Sequence, residues 1–547
     1  LSSPLVTSPT HTDRRRTIAG ATLVLMAAFV TSRLLGLVRE MVIYNQFGTS
    51  RALDAYRAAF NVPDLIFELV AGGALAAALI PTFTAYLAKG RQDEAWHLAS
   101  AVMTIACIAA TAVAAVVFVL APWIVPLIVP GFEPAAQALT VQLVRLMLLA
   151  PILAGLSGIA AGVLNSHQRF TLPALSPVVY NLAIIAGALW LAPRWGVRGL
   201  AVSVVAGAAL HFGIQVPGLA RLGLVYRPSL DWRHPGVRQV GRLLGPRLAG
   251  LAVARLNFFV NTILASLLAV GSLAALNLAW QLNLLPWSIV AMTIATAVFP
   301  TLAEQAAQAR NAELRATLAG ALRVTLFLAI PASVGLLVLR VPLVQLLFQR
   351  GEFTAISTAM TAWALLFYAL GLGAIATTEI VTRGFYALHD TRTPVLVAAV
   401  AVATNILLSL LFVWLFGALE LGPQAAVATG GLRNNVGLLG GLALANTIAN
   451  ALEAVALLVF IRRRLGGLDD RRLLRSLGRV LLASLAMGLA VGGFLALAAG
   501  RLDLAHLSGR LALVGGGVAV GLLAYLGATL LLRSEELAAL SSLLQRR

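Results

Sequence analysis

Charge is scarce in this chain. Only 11% of its 547 residues are Asp, Glu, Lys or Arg, against 60% hydrophobic, and the mean hydropathy is +0.91. Soluble proteins carry roughly a quarter charged residues, and here no long polar stretch interrupts the apolar runs, so a separate soluble domain is excluded. Cysteine is limited to Cys107, inside an apolar segment, so no disulfide framework exists. Histidine is sparse as well, at seven residues. His97, His167, His211, His234 and His389 are scattered, with no His/Cys group at metal-ligand spacing. A Walker loop and a Gly-x-Ser-x-Gly elbow are both missing. These absences point away from ATP hydrolysis, from an enzyme, and from any metal or cofactor.

Acids are scarcer than bases, 21 against 40, for a net charge of +19. Nucleic acid is not the implied partner, because the arginines cluster in short loops between apolar runs, as the positive-inside rule of membrane topology requires. About 20 apolar residues cross a bilayer, and such runs recur from end to end. The chain therefore reads as an all-α polytopic membrane protein with about fourteen helices. They are expected at 17–45, 52–88, 95–121, 136–165, 172–192, 198–222, 238–268, 271–308, 313–340, 355–388, 393–418, 435–462, 473–499 and 508–533. With that count Arg14–Arg16, Lys89, Arg91, Arg227, Arg233, Arg238, Arg462–Arg464, Arg471, Arg472, Arg475 and Arg546–Arg547 fall on one side. Both termini are then expected in the cytoplasm, and the first helix is expected to be a retained span, since no small-residue cleavage site follows a short apolar core.

The chain also repeats itself at about 220 residues. "IPTFTAYLAKGRQDEA" (80–95) resembles "FPTLAEQAAQARNAEL" (299–314), and "APWIVPLIVPGFE" (121–133) resembles "VPLVQLLFQRGEF" (341–353). "GVLNSHQRFTLP" (162–173) resembles "GFYALHDTRTP" (384–394), each with His five residues after Gly. Six helices per copy is an even number, so both copies enter the membrane in the same direction, a parallel repeat. The expected organisation is a tail at 1–16, a first lobe at 17–222, a second at 238–463, an appended helix pair at 473–533 and a tail at 534–547. Two lobes of this kind suit alternating access; a duplicated scaffold without transport is the competing reading.

Polar groups inside the spans are the candidate site. In "TSRLLGLVREM" (31–41), Arg33, Gly36 and Glu40 share one helical stripe, while Arg39 points about 120° away. Either these residues line an aqueous chamber, or the helix ends near Leu37 and they mark its interface. The segment 52–88 would be about 55 Å long as one helix, far beyond the ~30 Å hydrocarbon core. It must break, and Pro63 with the Gly72–Gly73 pair supplies the means. Asp54, Arg57, Asp64 and Glu68 surround that break. Intramembrane ions cost several kcal/mol unless they face water or a partner, so these groups line one cavity or fasten the two helices together. Asn257, Asn261 and Asn405 read as interhelical hydrogen-bonding groups, and Glu379 with Arg383 as a local ion pair.

The segments "SRLLGLVRE" (32–40), "LDAYRAAFNVPDL" (53–65), "GVLNSHQRFTLPALSPVVYN" (162–181), "LLFQRGEF" (346–353) and above all "RGFYALHDTRTPV" (383–395) resemble the MurJ/MviN family. These are bacterial lipid II flippases of the multidrug/oligosaccharidyl-lipid/polysaccharide exporter superfamily. The resemblance implies fourteen helices and transport of an undecaprenyl-pyrophosphate-linked murein precursor to the outer leaflet of the plasma membrane. It also implies a lipid-tail groove on helices 13 and 14, and membrane lipid and the cell-wall synthesis machinery as partners. By motif, Arg33, Arg39 and Asp54 match family site residues, with Glu40 beside them. Phe67, Glu68 and Gln281 stand where the family has cations or an Asp-Arg pair, and Arg57 and Arg255 are expected to compensate. A sodium site of some members uses acids where this chain has Asn261 and Ser409. The departures leave open an exporter of another polyprenyl-linked glycan or an amphipathic drug. A membrane glycosyltransferase would need an outer-loop carboxylate, for which Glu133, Glu352, Glu420 and Asp503 are the candidates.

Overall fold

The computed structural model describes residues 11–70, 73–224, 226–420, 436–504 and 506–537. Among them every regular element is a helix. The first eleven are α1 (His11–Phe47), α2 (Arg51–Ala59), α3 (Asn61–Val70), α4 (Gly73–Ala88), α5 (Gln92–Ile128), α6 (Pro134–Met147), α7 (Leu149–Ser166), α8 (Thr171–Trp190), α9 (Ala192–Trp195), α10 (Val197–Gly213) and α11 (Val216–Arg221). The rest are α12 (Pro235–Ser266), α13 (Ser272–Ala307), α14 (Asn311–Phe348), α15 (Ala355–Leu370), α16 (Leu372–Ala387), α17 (Arg392–Ala418), α18 (Leu438–Leu465), α19 (Asp470–Ala499) and α20 (Leu507–Leu531).

Each expected segment falls on one helix or on a short run of broken ones. Among the described residues ten helical stretches are long and apolar enough to cross a membrane, eleven if the α15–α16 pair, bent by 45°, is one span. The other expected segments coincide with α1, the α2–α4 run and α12.

The break in the second segment is local chemistry. A proline ring clashes with the carbonyl four residues back and leaves it without its N–H partner. Pro63 does this to Ala59, and α2 stops there. The turn at Phe60 is tightened by Phe60 N–H donating to Arg57 O (3.3 Å), and the Asn61 side chain donates to Ala58 O (2.9 Å). Gly73 opens α4, whereas Gly72 lies outside the described residues.

The chain divides into two compact units. One contains residues 1–46, 55–127 and 133–252; the other contains 47–54, 128–132 and 253–547. The division falls inside α12. Short pieces at 47–54 and 128–132 belong with the second unit. In the first unit α10 packs on α8 and α7, and α7 on α4. In the second, α18 packs on α17 and α16, and α16 on α13. The same helix order makes the same contacts in each, and α19 and α20 pack on one another and on α14.

Helix ends repeat too. Gly90 after α4 and Ala309 after α13 are both left-handed (φ 71° and 55°), each followed by an N–H bonded five residues back: Arg91 to Tyr86 O (3.1 Å) and Arg310 to Gln305 O (2.9 Å). After α7 and α16 the left-handed residues are Gln168 and His389 (φ 59° and 57°), with Arg169 N–H to Leu164 O and Asp390 N–H to Phe385 O, both 2.9 Å. By cap geometry Gln168, not His167, is the counterpart of His389. The shared histidine in the sequence comparison is one position out of register. His167 instead stacks on Trp96, with ring centroids 5.3 Å apart.

Asp390 starts α17. Its Oδ1 accepts the backbone N–H groups of Arg392 (3.1 Å) and Thr393 (3.0 Å), Oδ2 accepts the Thr393 hydroxyl (2.8 Å), and Arg464 pairs with it from the end of α18. The Thr393 N–H first, then its hydroxyl and the Arg464 guanidinium, hold the Asp390 carboxyl below the usual carboxylate range. A depressed carboxylate stabilises the fold above its unfolded pKa and loses that contribution as pH falls through its folded value. Asp390→Asn keeps an oxygen for the backbone N–H groups but loses the charge that the start of α17 and Arg464 favour, so it is expected to lower stability by about 0.3–1 kcal/mol at neutral pH. The gap to the parent should close as pH drops below about 4, measured by melting in detergent.

Candidate functional site

Helix α1 runs unbroken past Arg33, Arg39 and Glu40 to Phe47, so these charges do not mark its end. Glu40 is 2% exposed, which in an apolar setting demands partners. It has two. Arg39 Nη2 donates to Oε1 (2.7 Å) and Arg57, from α2, pairs with Oε2. Arg57 is packed between aromatic faces, its guanidinium 5.3 Å from the Tyr44 ring centroid and 5.8 Å from that of Tyr56. Asn181 on α8 completes the group. Its Oδ1 accepts from Arg39 Nη1 (3.2 Å), while its Nδ2 donates to Pro177 O (3.0 Å) and Ser32 O (3.3 Å). Helices α1, α2 and α8 are thus tied by one carboxylate, two guanidiniums and one amide.

Of the three charged groups joined in this way, two are cations and one is an anion. Arg57 is engaged: its side chain is only 10% exposed and its charge is matched by Glu40. Arg39 is 23% exposed, and of five N–H donors two are used within the cluster. Arg33 stands outside it. It is exposed, its guanidinium 5.2 Å from the centroid of Phe29, and a Cβ placed on nearby Gly36 would meet nothing within 4 Å. Asp64 and Glu68 are half-buried on α3.

The other sequence candidates lie elsewhere. Asp54 is fully buried and caps α13: Oδ2 accepts Gly271 N–H (2.7 Å) and Oδ1 accepts Ala274 N–H (2.9 Å). Arg51 lies 3.5 Å from its Oδ2 and over the Phe132 ring at 4.6 Å. Asp54 and Arg57, three residues apart, therefore enter different networks. Arg255 is half-buried on α12 with its guanidinium 5.4 Å from the Phe258 ring centroid. Pro63 sits in the first turn of α3 and shapes the break.

Asn257 Oδ1 accepts from Asn405 Nδ2 (2.7 Å) and Asn261 Nδ2 (3.2 Å), and Ser409 Oγ donates to Asn405 Oδ1 (3.0 Å). This neutral network fastens α12 to α17. It holds no carboxylate, so its donor set does not fit a sodium ion bound through acids. Glu379 and Arg383 form the local pair expected of them, at 2.6 Å.

Sequence reasoning passed over Asn181 and Arg51. The signal for Asn181 was an amide within the apolar run "PVVYNLAII", where a polar group needs a partner. For Arg51 there was none: it reads as one more loop cation.

A buried ionic cluster inside a bundle of many apolar helices defines the class: a polytopic membrane protein. The known proteins it is similar to agree. The family model described as "Lipid II flippase MurJ" matches residues 43–508. A lipid II flippase from Burkholderia cenocepacia is 33% identical over 434 residues, covering 78% of this chain and 82% of that one. A probable one from Vibrio cholerae is 30% identical over 420 residues, covering 74% and 79%. Among solved structures, a lipid II flippase in an inward closed conformation has a TM-score of 0.75 at 23% identity, covering 93% of this chain and 99% of that one. An inward-facing multidrug transporter of the MATE family has a TM-score of 0.65 at 15% identity, covering 82% and 99%, which shows the fold alone. The chain belongs to the lipid II flippase MurJ family, a family of transporters and not of enzymes.

Proposed function

We propose that this protein is a flippase. It carries an undecaprenyl-pyrophosphate-linked peptidoglycan precursor from the inner to the outer leaflet of the plasma membrane by alternating access of two six-helix lobes. Family membership supports the substrate class. The observation that carries the site assignment is Arg39, fixed by Glu40 and Asn181 yet partly exposed with donors left over, six residues beyond an exposed Arg33. A diphosphate leaving water needs cations to replace its hydration, and guanidinium offers paired N–H donors of the right spacing. In this reading Arg33 and Arg39 face a wet cationic chamber and meet the diphosphate. Glu40, Asn181 and Arg57 hold Arg39 in place, Asp54 and Arg255 serve as framework, and Pro63 with Gly72–Gly73 lets the second segment flex. The polyprenyl chain lies along α19 and α20, which expose Leu485, Leu489, Leu522 and Leu526. Both termini are cytoplasmic. Membrane potential acting on the arginines supplies a driving force of about 2.3 kcal/mol per charge per 100 mV, and cell-wall synthesis enzymes receive the product.

The test is complementation of a bacterium depleted of its own flippase. The parent chain should restore growth, while Arg33→Ala and Arg39→Ala, present in the membrane at parental level, should each fail. Growth with both variants would remove the site assignment. A second reading, export of another polyprenyl-linked glycan, is favoured by Phe67, Glu68 and Gln281, where basic or Asp-Arg residues are usual in the family. It predicts that the parent chain itself does not restore growth.

A further inference from the structure

Helix α13 buries polar atoms that the helices packed on it leave unmatched. Asn283 is 0% exposed, and neither its Nδ2 nor its Oδ1 has a hydrogen-bond partner among the described residues. Trp287, one turn further along the same span, has a buried Nε1 that is unpartnered in the same way. Buried polar groups in native proteins are matched by protein atoms or by ordered water, and those that are not need an explanation. The repeat marks the same two positions. By the offset that aligns Ile80-Pro81 with Phe299-Pro300, Asn283 and Trp287 fall where the first copy has Asp64 and Glu68. Hydrogen-bonding side chains one turn apart therefore recur at corresponding places.

Contacts on either side fix where these atoms lie. Trp280, Asn283 and Trp287 fall within about 60° of one another on the helix. The Trp280 ring meets Tyr368 of α15, with centroids 5.2 Å apart, and Trp287 packs against Ala329 of α14 and Ala376 of α16. Asn283, between the two tryptophans, is thus opposite the stretch from Tyr368 to Ala376, where α15 and α16 meet at a 45° bend. Helix α14 returns antiparallel along α13, so one turn beyond Ala329 brings Ser333 to the same level. Its Oγ does reach the bend, donating to Ala369 O (2.5 Å). A helix end leaves main-chain carbonyls to be met from outside. Thr447 of α18 takes a second one, Phe367 O, at 2.7 Å.

The unmatched groups are an amide, which donates and accepts, and an indole, which only donates. A cation would face the N–H groups, and an anion would face Asn283 Oδ1. Water suits both, accepting from Nδ2 and Nε1 and donating to Oδ1 or to a carbonyl of the bend, within the two to four partners that an internal water takes. We infer that Asn283 and Trp287 form an internal water-binding site against the α15–α16 bend. The water completes the hydrogen bonding of α13 where its neighbour is bent. The site is separate from Arg33 and Arg39 and does not rest on which precursor the protein carries. The competing reading is a dry amide, kept for its shape alone.

The experiment uses the full-length protein in detergent and water itself as the probe. Brief X-ray irradiation turns bound water into hydroxyl radical, which oxidises the nearest side chain, and mass spectrometry reads the product. The internal standard is Trp363, also half-buried, whose Nε1 is satisfied by Gly437 O (3.1 Å). Trp287 should be oxidised at least threefold more than Trp363. Asn283→Leu, similar in size but unable to hold the water, should bring Trp287 down to the level of Trp363 and lower the melting temperature by a few degrees. A dry amide predicts the opposite sign, because an apolar side chain then removes a buried group that nothing satisfies. Equal oxidation of Trp287 and Trp363 in the parent, which needs no variant to observe, would overturn the site. So would Asn283→Leu melting at or above the parent, or Trp287 oxidation unchanged in that variant.

Discussion

Glu40→Gln is expected to cost about 3–5 kcal/mol of stability, the range found when one partner of a buried ion pair is removed and the other charge stays behind. Here two charges stay behind, since the Arg39 and Arg57 guanidiniums converge on the Glu40 carboxylate from α1 and α2. A glutamine of the same shape offers one oxygen in place of two and turns an N–H donor toward a guanidinium. The measurement is the melting temperature of purified protein in detergent, beside the amount of protein in the membrane. Adding Arg57→Gln to Glu40→Gln should recover part of the loss, because it removes the more enclosed of the two stranded cations. A Glu40→Gln protein that melts with the parent would show that the cluster is not what ties these helices.

Asp54→Ala is expected to be of similar size by a different route. Its two oxygens receive the N–H groups of Gly271 and Ala274, and each buried donor left unpaired costs about 1–3 kcal/mol. The carboxylate also offsets the positive end of the α13 dipole and the charge of Arg51. The join is close: Gly271 has φ 86°, and a Cβ there would lie 2.2 Å from Thr49 O. Gly271→Ala should therefore reproduce part of the Asp54→Ala defect. Melting and transport should fall together in Asp54→Ala. Loss of transport at a parental melting temperature would make Asp54 a substrate ligand and not a cap.

The two aspartate-arginine neighbourhoods show where legibility stopped. Asp54 and Arg57 are adjacent on a helical face, and spacing placed them in one site. The structure separates them, because the carboxylate reaches a helix start more than 200 residues away while the guanidinium turns to α1. Hydropathy cannot anticipate which distant N–H groups a buried carboxylate will satisfy. Arg33 and Arg39 are a second case. Six residues apart, they carry similar weight as sequence, yet one is built into a hydrogen-bonded group and the other is exposed beside Phe29. The Pro63 break, by contrast, was readable because a missing N–H acts on its own helix, four residues away.

The sequence by itself determined that the chain is a multi-pass helical membrane protein, where its helices run, that it repeats at about 220 residues, and which family it belongs to. Those properties follow from apolar run length, proline chemistry and local motifs, which act over one or two helical turns. Only the tertiary structure decided which charges are partners: Glu40 with Arg39 and Arg57, Asp54 with α13, Asn257 with Asn405 and Ser409. A charge or amide kept from water must find its complement wherever the folded chain supplies one. That partner is set by helix packing and not by distance along the sequence.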